Sequence, residues 1–186
     1  MDVIRSVIVN GTRSPIIFTT GYTCRDAFSV RDAPNHLYMT GSMGMAPVIG
    51  VGVARHTPRT TIVVDGDGAL LMNPAAMLVV RQYLPGNYLH VLLDNGRYES
   101  TGGQRTSSSL FDIPDIATAI GYPRCTRLRE PAELGALPEL VDRPRGPHLV
   151  YVRVGPRQHA NDRGAPRVVV APAANFRRFQ DWLQNG

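Results

Sequence analysis

Apolar residues along this chain gather in two patterns: short β-branched runs and longer stretches with helical spacing. Thr60-Thr61-Ile62-Val63-Val64-Asp65 and Leu89-His90-Val91-Leu92-Leu93-Asp94 are near-continuous apolar runs, the mark of strands buried on both faces. Pro15 to Thr20 predicts a strand ending at Gly21, Leu37 to Thr40 a short second one, and His148 to Val154 a late one. Between them, Met45 to Arg55 predicts an apolar helix rich in Gly and Ala. Pro74 to Tyr83 predicts another, with Pro74 in its first turn and Asn73 as N-cap. Pro114 to Ile120 and Pro131 to Val141 also read as helices. The last helix, Asn175 to Leu183, is expected to put Phe176, Phe179, Trp182 and Leu183 on one face. Alternation of this kind predicts an α/β fold, a parallel sheet between two helical layers. Ligands in such folds bind beyond the carboxyl ends of the strands. That singles out four loops, at 21–25, 41–44, 65–73 and 94–106.

Composition narrows the class. With 186 residues, 43% apolar and 19% charged, the chain is expected to be one domain with its own core. No apolar run is long enough to span a bilayer, and Val7-Ile8-Val9 is cut at once by Asn10, unlike a signal peptide. The expected location is the cytoplasm, with no membrane partner. Cys24 and Cys125, the only cysteines, are expected to be reduced thiols without a catalytic role. The net charge is +5 and all 20 basic residues are Arg. A codon bias toward Arg explains this without function; guanidinium forks also suit phosphate, phosphonate, sulfonate and carboxylate groups. The arginines are scattered and no recognition motif accompanies them, so no nucleic acid partner is expected. The five histidines form no spaced pair and receive no role, and His36 is expected in a loop.

The chemistry concentrates after the two buried strands. Gly66-Asp67-Gly68 follows the first, with a backbone free to approach a ligand and a hard carboxylate oxygen at the sheet edge. Alone, such a turn is common in strand-to-helix connections. Asn95 lies 28 residues after Asp67, beyond the next strand. One strand–helix–strand passage brings both to the same crevice edge, where a carboxylate, an amide oxygen and a carbonyl suit Mg²⁺. Two unrelated Asx turns are the plainer alternative.

These residues resemble the thiamine-diphosphate signature, a GDG followed at this interval by an Asn-containing pair. The resemblance implies that Asp67, the Asn95 side chain and the Arg97 carbonyl hold Mg²⁺. The family usually has Asn-Asn where this chain has Asp94-Asn95; the liganding Asn is the second, so the change is expected to leave the metal site untouched. Asn95-Gly96-Arg97-Tyr98-Glu99-Ser100-Thr101-Gly102-Gly103-Gln104-Arg105-Thr106 resembles the corresponding loop of phosphonopyruvate and sulfopyruvate decarboxylases. Gly41-Ser42-Met43-Gly44 resembles the same group's Gly-Ser-Met-Gly segment, in which the third residue props the cofactor and the first Gly's carbonyl meets the 4′-amino group. Thr19-Thr20-Gly21-Tyr22-Thr23-Cys24-Arg25-Asp26 is similar to its Thr-Thr-Gly-Lys-Thr-Ser-Arg-Glu segment, with Tyr22 in place of Lys and Cys24 in place of Ser. Arg25 is either a contact to the anion or an ion-pair partner. Arg163-Gly164-Ala165-Pro166-Arg167 resembles the family's C-terminal end. The implied cofactor-binding set is Thr20, Gly21, Gly41, Ser42, Met43, Gly66, Asp67, Gly68, Ala69, Asn95, Arg97, Tyr98 and Glu99.

The resemblance also implies an absence. Thiamine enzymes need a carboxylate against the pyrimidine N1′, and in the family that Glu sits in a separate pyrimidine-binding domain. No stretch of these 186 residues can supply it. The expected partner is therefore a pyrimidine-binding α chain, in a heterodimer, heterotetramer or larger assembly. The expected function is the diphosphate- and Mg²⁺-binding half of a two-chain decarboxylase of an anionic 2-oxoacid. The substrate's second anion would fall to Arg97, Arg105 or hydroxyls within 101–109. A carboligase subunit and a non-catalytic cofactor-binding subunit are the alternatives.

Overall fold

The structure, a computed structural model, describes residues 1–129, 131–143, 145–155 and 165–185. Helix α1 (Asp2–Asn10) leads into β1 (Ile16–Phe18), α2 (Tyr22–Val30), β2 (His36–Tyr38) and α3 (Ala46–Ala54). Then come β3 (Thr61–Gly66), α4 (Asp67–Met72), α5 (Ala76–Tyr83) and β4 (Tyr88–Asp94). A small hairpin, β5 (Arg97–Tyr98) and β6 (Gln104–Arg105), precedes a 3-10 turn at Ser107–Leu110 and α6 (Ile113–Ile120). The chain closes with β7 (Arg124–Leu128), a 3-10 turn at Pro131–Ala136, α7 (Leu137–Asp142), β8 (His148–Arg153) and α8 (Pro172–Asn185).

Six strands form one all-parallel sheet in the order β2-β1-β3-β4-β8-β7. The central strands β3 and β4 are buried along nearly their whole length, as their unbroken apolar runs require. One core lies on the face covered by α1, α2 and α7, and includes Val7, Ile8, Phe18, Val64, Val91 and Leu137. The other lies beneath α3, α5, α6 and α8, and includes Val51, Val63, Met77, Tyr88, Leu92 and Phe179. Gly50 lets α3 sit directly on the sheet, since a Cβ there would run into Val63 and Tyr88. The three-layer α/β/α expectation is met. Among the described residues no helix is long and apolar enough to cross a membrane.

Several local expectations give way. Two of the four predicted loops are helix starts, because α2 begins at Tyr22 and α4 at Asp67, directly off their strands. Asn73 does not cap α5, whose N-cap is Ala75; its amide donates to the Gly44 carbonyl at 3.2 Å. The stretch predicted as one helix from Pro131 splits into a 3-10 turn and α7, with Pro138 in the first turn of α7. His36 is a buried strand residue, not a loop one. In α8 the buried stripe is Asn175 and Phe179, whereas Phe176 is 55% exposed, because residues four apart share a helix face. Helix α1, edge strand β7 and the β5–β6 hairpin were not predicted. Both cysteines are free thiols. Arg163, Gly164 and His159 lie outside the described residues.

Candidate cofactor site at the carboxyl edge of the sheet

The sheet order reverses between β1 and β3: from β1 the chain steps outward to β2, then crosses back to β3. Flanking helices diverge at such a point and leave a crevice at the strands' carboxyl ends. A cavity of about 580 Å³ occupies it. Thr19 and Thr20 after β1, Gly66, Asp67, Gly68 and Ala69 at the β3–α4 junction, and Asn95, Arg97, Tyr98 and Glu99 after β4 line one side. Met43 contributes from the loop after β2, while Val3, Ile4, Leu93 and Val154 form an apolar wall. Of the residues expected to bind cofactor, Gly21, Gly41 and Ser42 do not line this cavity, and the other ten do. Gly21 sits immediately behind, at φ +93°, where a Cβ would meet the Ser100 hydroxyl at 2.8 Å.

Asp67 is buried at 2% exposure in the first turn of α4. The Thr106 hydroxyl donates to its Oδ2 at 2.5 Å. Burial raises its pKa above the usual carboxylate value, and the nearby Asp94 charge adds to the rise. The Thr106 bond and the backbone N–H groups of Asn95 and Gly68 act the other way. Those same N–H contacts place the start of the Asn95 turn against the Asp67 carboxylate. Asn95 itself forms an Asx turn, its Oδ1 accepting from the Arg97 N–H at 2.9 Å and keeping a second lone pair. Gly68 leaves its backbone bare beneath the Tyr98 ring, where a Cβ would stand 2.7 Å from the ring carbon.

Three features make the crevice fit an anionic cofactor with a hard cation. Thr19 borders the cavity, and its buried hydroxyl has no hydrogen-bond partner among the described residues. Gly66, on the cavity wall, carries no side chain and has room where a Cβ would stand, so a ligand can lie against the backbone there. Asp67 and Asn95 offer a carboxylate and an amide oxygen, the donor types that Mg²⁺ prefers. Among the described residues no cluster of three or more His, Cys, Asp or Glu side chains forms a self-sufficient metal site. A cation here would draw on amide, carbonyl and ligand oxygens.

Other sequence candidates take different roles. The Arg97 guanidinium donates to the Gly103 carbonyl at 2.9 Å and so pins the β5–β6 hairpin. Arg105 is exposed on β6. Arg25 lies over the Tyr22 ring, 5.1 Å from its centre. Thr106 and Ser108 are buried and serve Asp67 and Asp94, so those hydroxyls are already committed. The sequence reading gave no role to Asp26, a buried carboxylate on α2 that lines the cavity and ends the Thr19–Asp26 segment, and it missed the whole α1 wall. Asp26 stands four residues after Tyr22, one helical turn on, a spacing that could have signalled it.

Comparison with known proteins identifies the family. Residues 20–152 match the family described as thiamine pyrophosphate enzyme, C-terminal TPP binding domain. Phosphonopyruvate decarboxylase of Streptomyces viridochromogenes is 42% identical over 171 residues, which cover 90% of this chain and 42% of that protein. The chain thus spans about two-fifths of that relative's length. Sulfopyruvate decarboxylase subunit beta of Methanococcus maripaludis is 26% identical over 98% of this chain and 96% of its own. A solved structure from Mycobacterium smegmatis, described as a candidate thiamin diphosphate-dependent enzyme, shares the fold with a TM-score of 0.65 at 20% identity, over 84% of this chain and 32% of that one. The chain belongs to the thiamine pyrophosphate enzymes, as a C-terminal TPP-binding domain of that family.

Proposed function

We propose that this chain is the diphosphate- and Mg²⁺-binding half of a two-chain, thiamine-diphosphate-dependent decarboxylase of phosphonopyruvate, sulfopyruvate or a close anionic analogue. The observation that carries the reading is the meeting of the buried Asp67 carboxylate with the Asn95 turn at the switch-point crevice. Asp67, the Asn95 amide oxygen and the Arg97 carbonyl would hold Mg²⁺. Thr19, Thr20, Gly66, Gly68 and Ala69 would receive the diphosphate, and Met43 would support the cofactor's fold. Tyr98, lying on Gly68, and Glu99 would close that side. When bound, the cofactor supplies the electron sink that loss of CO₂ from a 2-oxoacid requires. The chain's own residues neutralise and orient: Asp67 anchors the cation, and Val3, Ile4, Leu93 and Val154 keep water from one wall.

The substrate class is supported by the names of the Streptomyces and Methanococcus relatives. The partner is supported by the beta-subunit name of a protein that this chain matches almost end to end. The activating carboxylate for the pyrimidine ring would then come from an α chain, in a heterodimer or larger assembly. Two free thiols fit a reducing cytoplasm.

Reconstitution with the candidate α chain tests the reading. Phosphonopyruvate and sulfopyruvate are supplied with thiamine diphosphate and Mg²⁺, and CO₂ and aldehyde are measured. One of the two acids should give both products in equal amounts, and chelation of Mg²⁺ should stop the reaction. A C–C coupled product in place of free aldehyde, or turnover that ignores cofactor and metal, would overturn it.

A further inference from the structure

Beside the Asp67–Asn95 turn lies a carboxylate that the proposed reaction does not use. Asp94 ends β4 with its side chain wholly buried. Four donors converge on it. The Gly96 N–H and the Ser108 hydroxyl reach Oδ1, each at 2.9 Å. The Tyr151 hydroxyl at 2.6 Å and the Arg153 guanidinium at 3.1 Å reach Oδ2. The donors come from three places: the turn after β4, the 3-10 turn at Ser107–Leu110, and β8. The sheet register sets Arg153 directly opposite Asp94, with Tyr151 two residues back on the same face.

The cluster connects to Asp67 through observed contacts. The Gly96 carbonyl accepts from the Thr106 N–H at 3.0 Å. The Thr106 hydroxyl lies 3.0 Å from that of Ser108 and donates to Asp67. Each hydroxyl carries one proton, so Ser108 gives its own to Asp94 and Thr106 gives its own to Asp67. Two carboxylates thereby hold the two ends of one short segment.

We propose that Asp94 and Arg153 form a clamp between β4 and β8 that sets the position of the Asn95–Ser108 loop, making both of them positioning residues for the cation site. This rests on the Mg²⁺ reading above. The acceptor must be a carboxylate because four donors need two acceptor oxygens. An amide at position 94 would turn an N–H toward either Gly96 or Arg153; Tyr151 can rotate its proton away, but the guanidinium has no lone pair to offer. Arg153 is half exposed, so its contribution is chiefly one of geometry, as screening weakens the pair's Coulomb attraction.

The test uses the full-length chain as wild type, Asp94→Asn, Arg153→Met and the double variant, with Asp67→Ala as control. Mg²⁺ is titrated by calorimetry in the presence of thiamine diphosphate, and backbone amide exchange across 95–108 is followed without either. Residues that orient a metal's ligands typically cost about 10–100-fold in affinity when lost. Asp94→Asn should raise half-saturating Mg²⁺ about tenfold while the ligand-free variant stays folded by far-UV circular dichroism, so that a general folding defect, which high Mg²⁺ would also rescue, is not the cause. Exchange across 95–108 should quicken. Arg153→Met should shift Mg²⁺ less, and the double variant should cost less than the sum of the singles. The clamp is overturned if Asp94→Asn stays within twofold of wild type while Asp67→Ala abolishes binding. If Asp67→Ala also binds normally, or the wild-type chain binds too weakly alone to titrate, exchange decides. Unchanged rates in Asp94→Asn overturn the clamp, and faster rates support it. Should Asp94→Asn fail to fold, Arg153→Met carries the test, and no change in either readout overturns the clamp.

Discussion

The outer edge of the sheet at β2 and the crevice at β1 and β3 both bury polar groups, but they treat them in opposite ways. At the edge the backbone groups of β2 are answered within the chain, although the Arg178 Nε is buried with no hydrogen-bond partner among the described residues. Asn175 on α8 donates to the His36 carbonyl and accepts from the Tyr38 N–H, each at 2.9 Å. His36 meets the Tyr38 hydroxyl at 3.0 Å, and Arg178 forks onto Asp32 at 2.6 and 2.8 Å. Helix α8 thus covers backbone groups that a bare edge would expose to another strand. In the crevice, the Thr19 hydroxyl has no hydrogen-bond partner among the described residues, and burial raises the pKa of the Asp67 carboxyl. The β2 edge answers its own backbone groups, whereas the crevice keeps an open hydroxyl and a buried carboxyl beside a cavity. The two should therefore respond oppositely to substitution.

The largest expected effect is at the closed edge. The wild-type pH dependence follows from burial, which lowers the His36 pKa from 6.5 to about 4. In the unfolded chain His36 takes up a proton near pH 6.5, and in the folded chain only near pH 4. The stability it contributes is thus fully present above about 6.5, is lost as pH falls toward 4, and then levels off. The sum is about 3 kcal/mol, at about 1.4 kcal/mol per pH unit. Denaturant melts of His36→Gln at pH 7 and pH 4.5 should show a smaller difference than wild type; an equal difference would place the acid sensitivity elsewhere.

Next, Asn175→Ala leaves one buried N–H and one carbonyl unanswered, so it should destabilise the fold by about 2 kcal/mol. Its affinity for thiamine diphosphate and Mg²⁺ should stay within twofold. Equal losses of stability and affinity would erase the distinction between the regions.

The smallest effect should be in the crevice and of reversed sign. Thr19→Val removes an unpaired buried hydroxyl with little change in shape, so the ligand-free fold should gain up to about 1 kcal/mol. Cofactor affinity should fall a few-fold. A stability loss on Thr19→Val would mean that the hydroxyl is already satisfied.

The local pattern was enough to foretell the central sheet and to point to residues that the fold brings to the crevice. The β-branched runs at 60–65 and 89–94 can be buried only as inner strands, and Gly66-Asp67-Gly68 and Asn95 follow them directly. Edge strand β7 escaped notice because Arg124-Cys125-Thr126-Arg127-Leu128 is only half covered and mixes polar with apolar residues. The role of Asp94 escaped for a different reason: read alone, it was a departure from a motif with no consequence for the metal. Its partners Tyr151 and Arg153 lie 57 and 59 residues further on, and only the register of β4 against β8 brings them to it. Asn175 likewise reaches Tyr38 across 137 residues. Hydrophobic spacing is local, so the sequence by itself determines the inner strands, several of the helices and the candidate ligand donors that follow the strands. Strand order and register arise from packing over the whole chain, so tertiary structure alone decided which buried charges are paired and which site stays open.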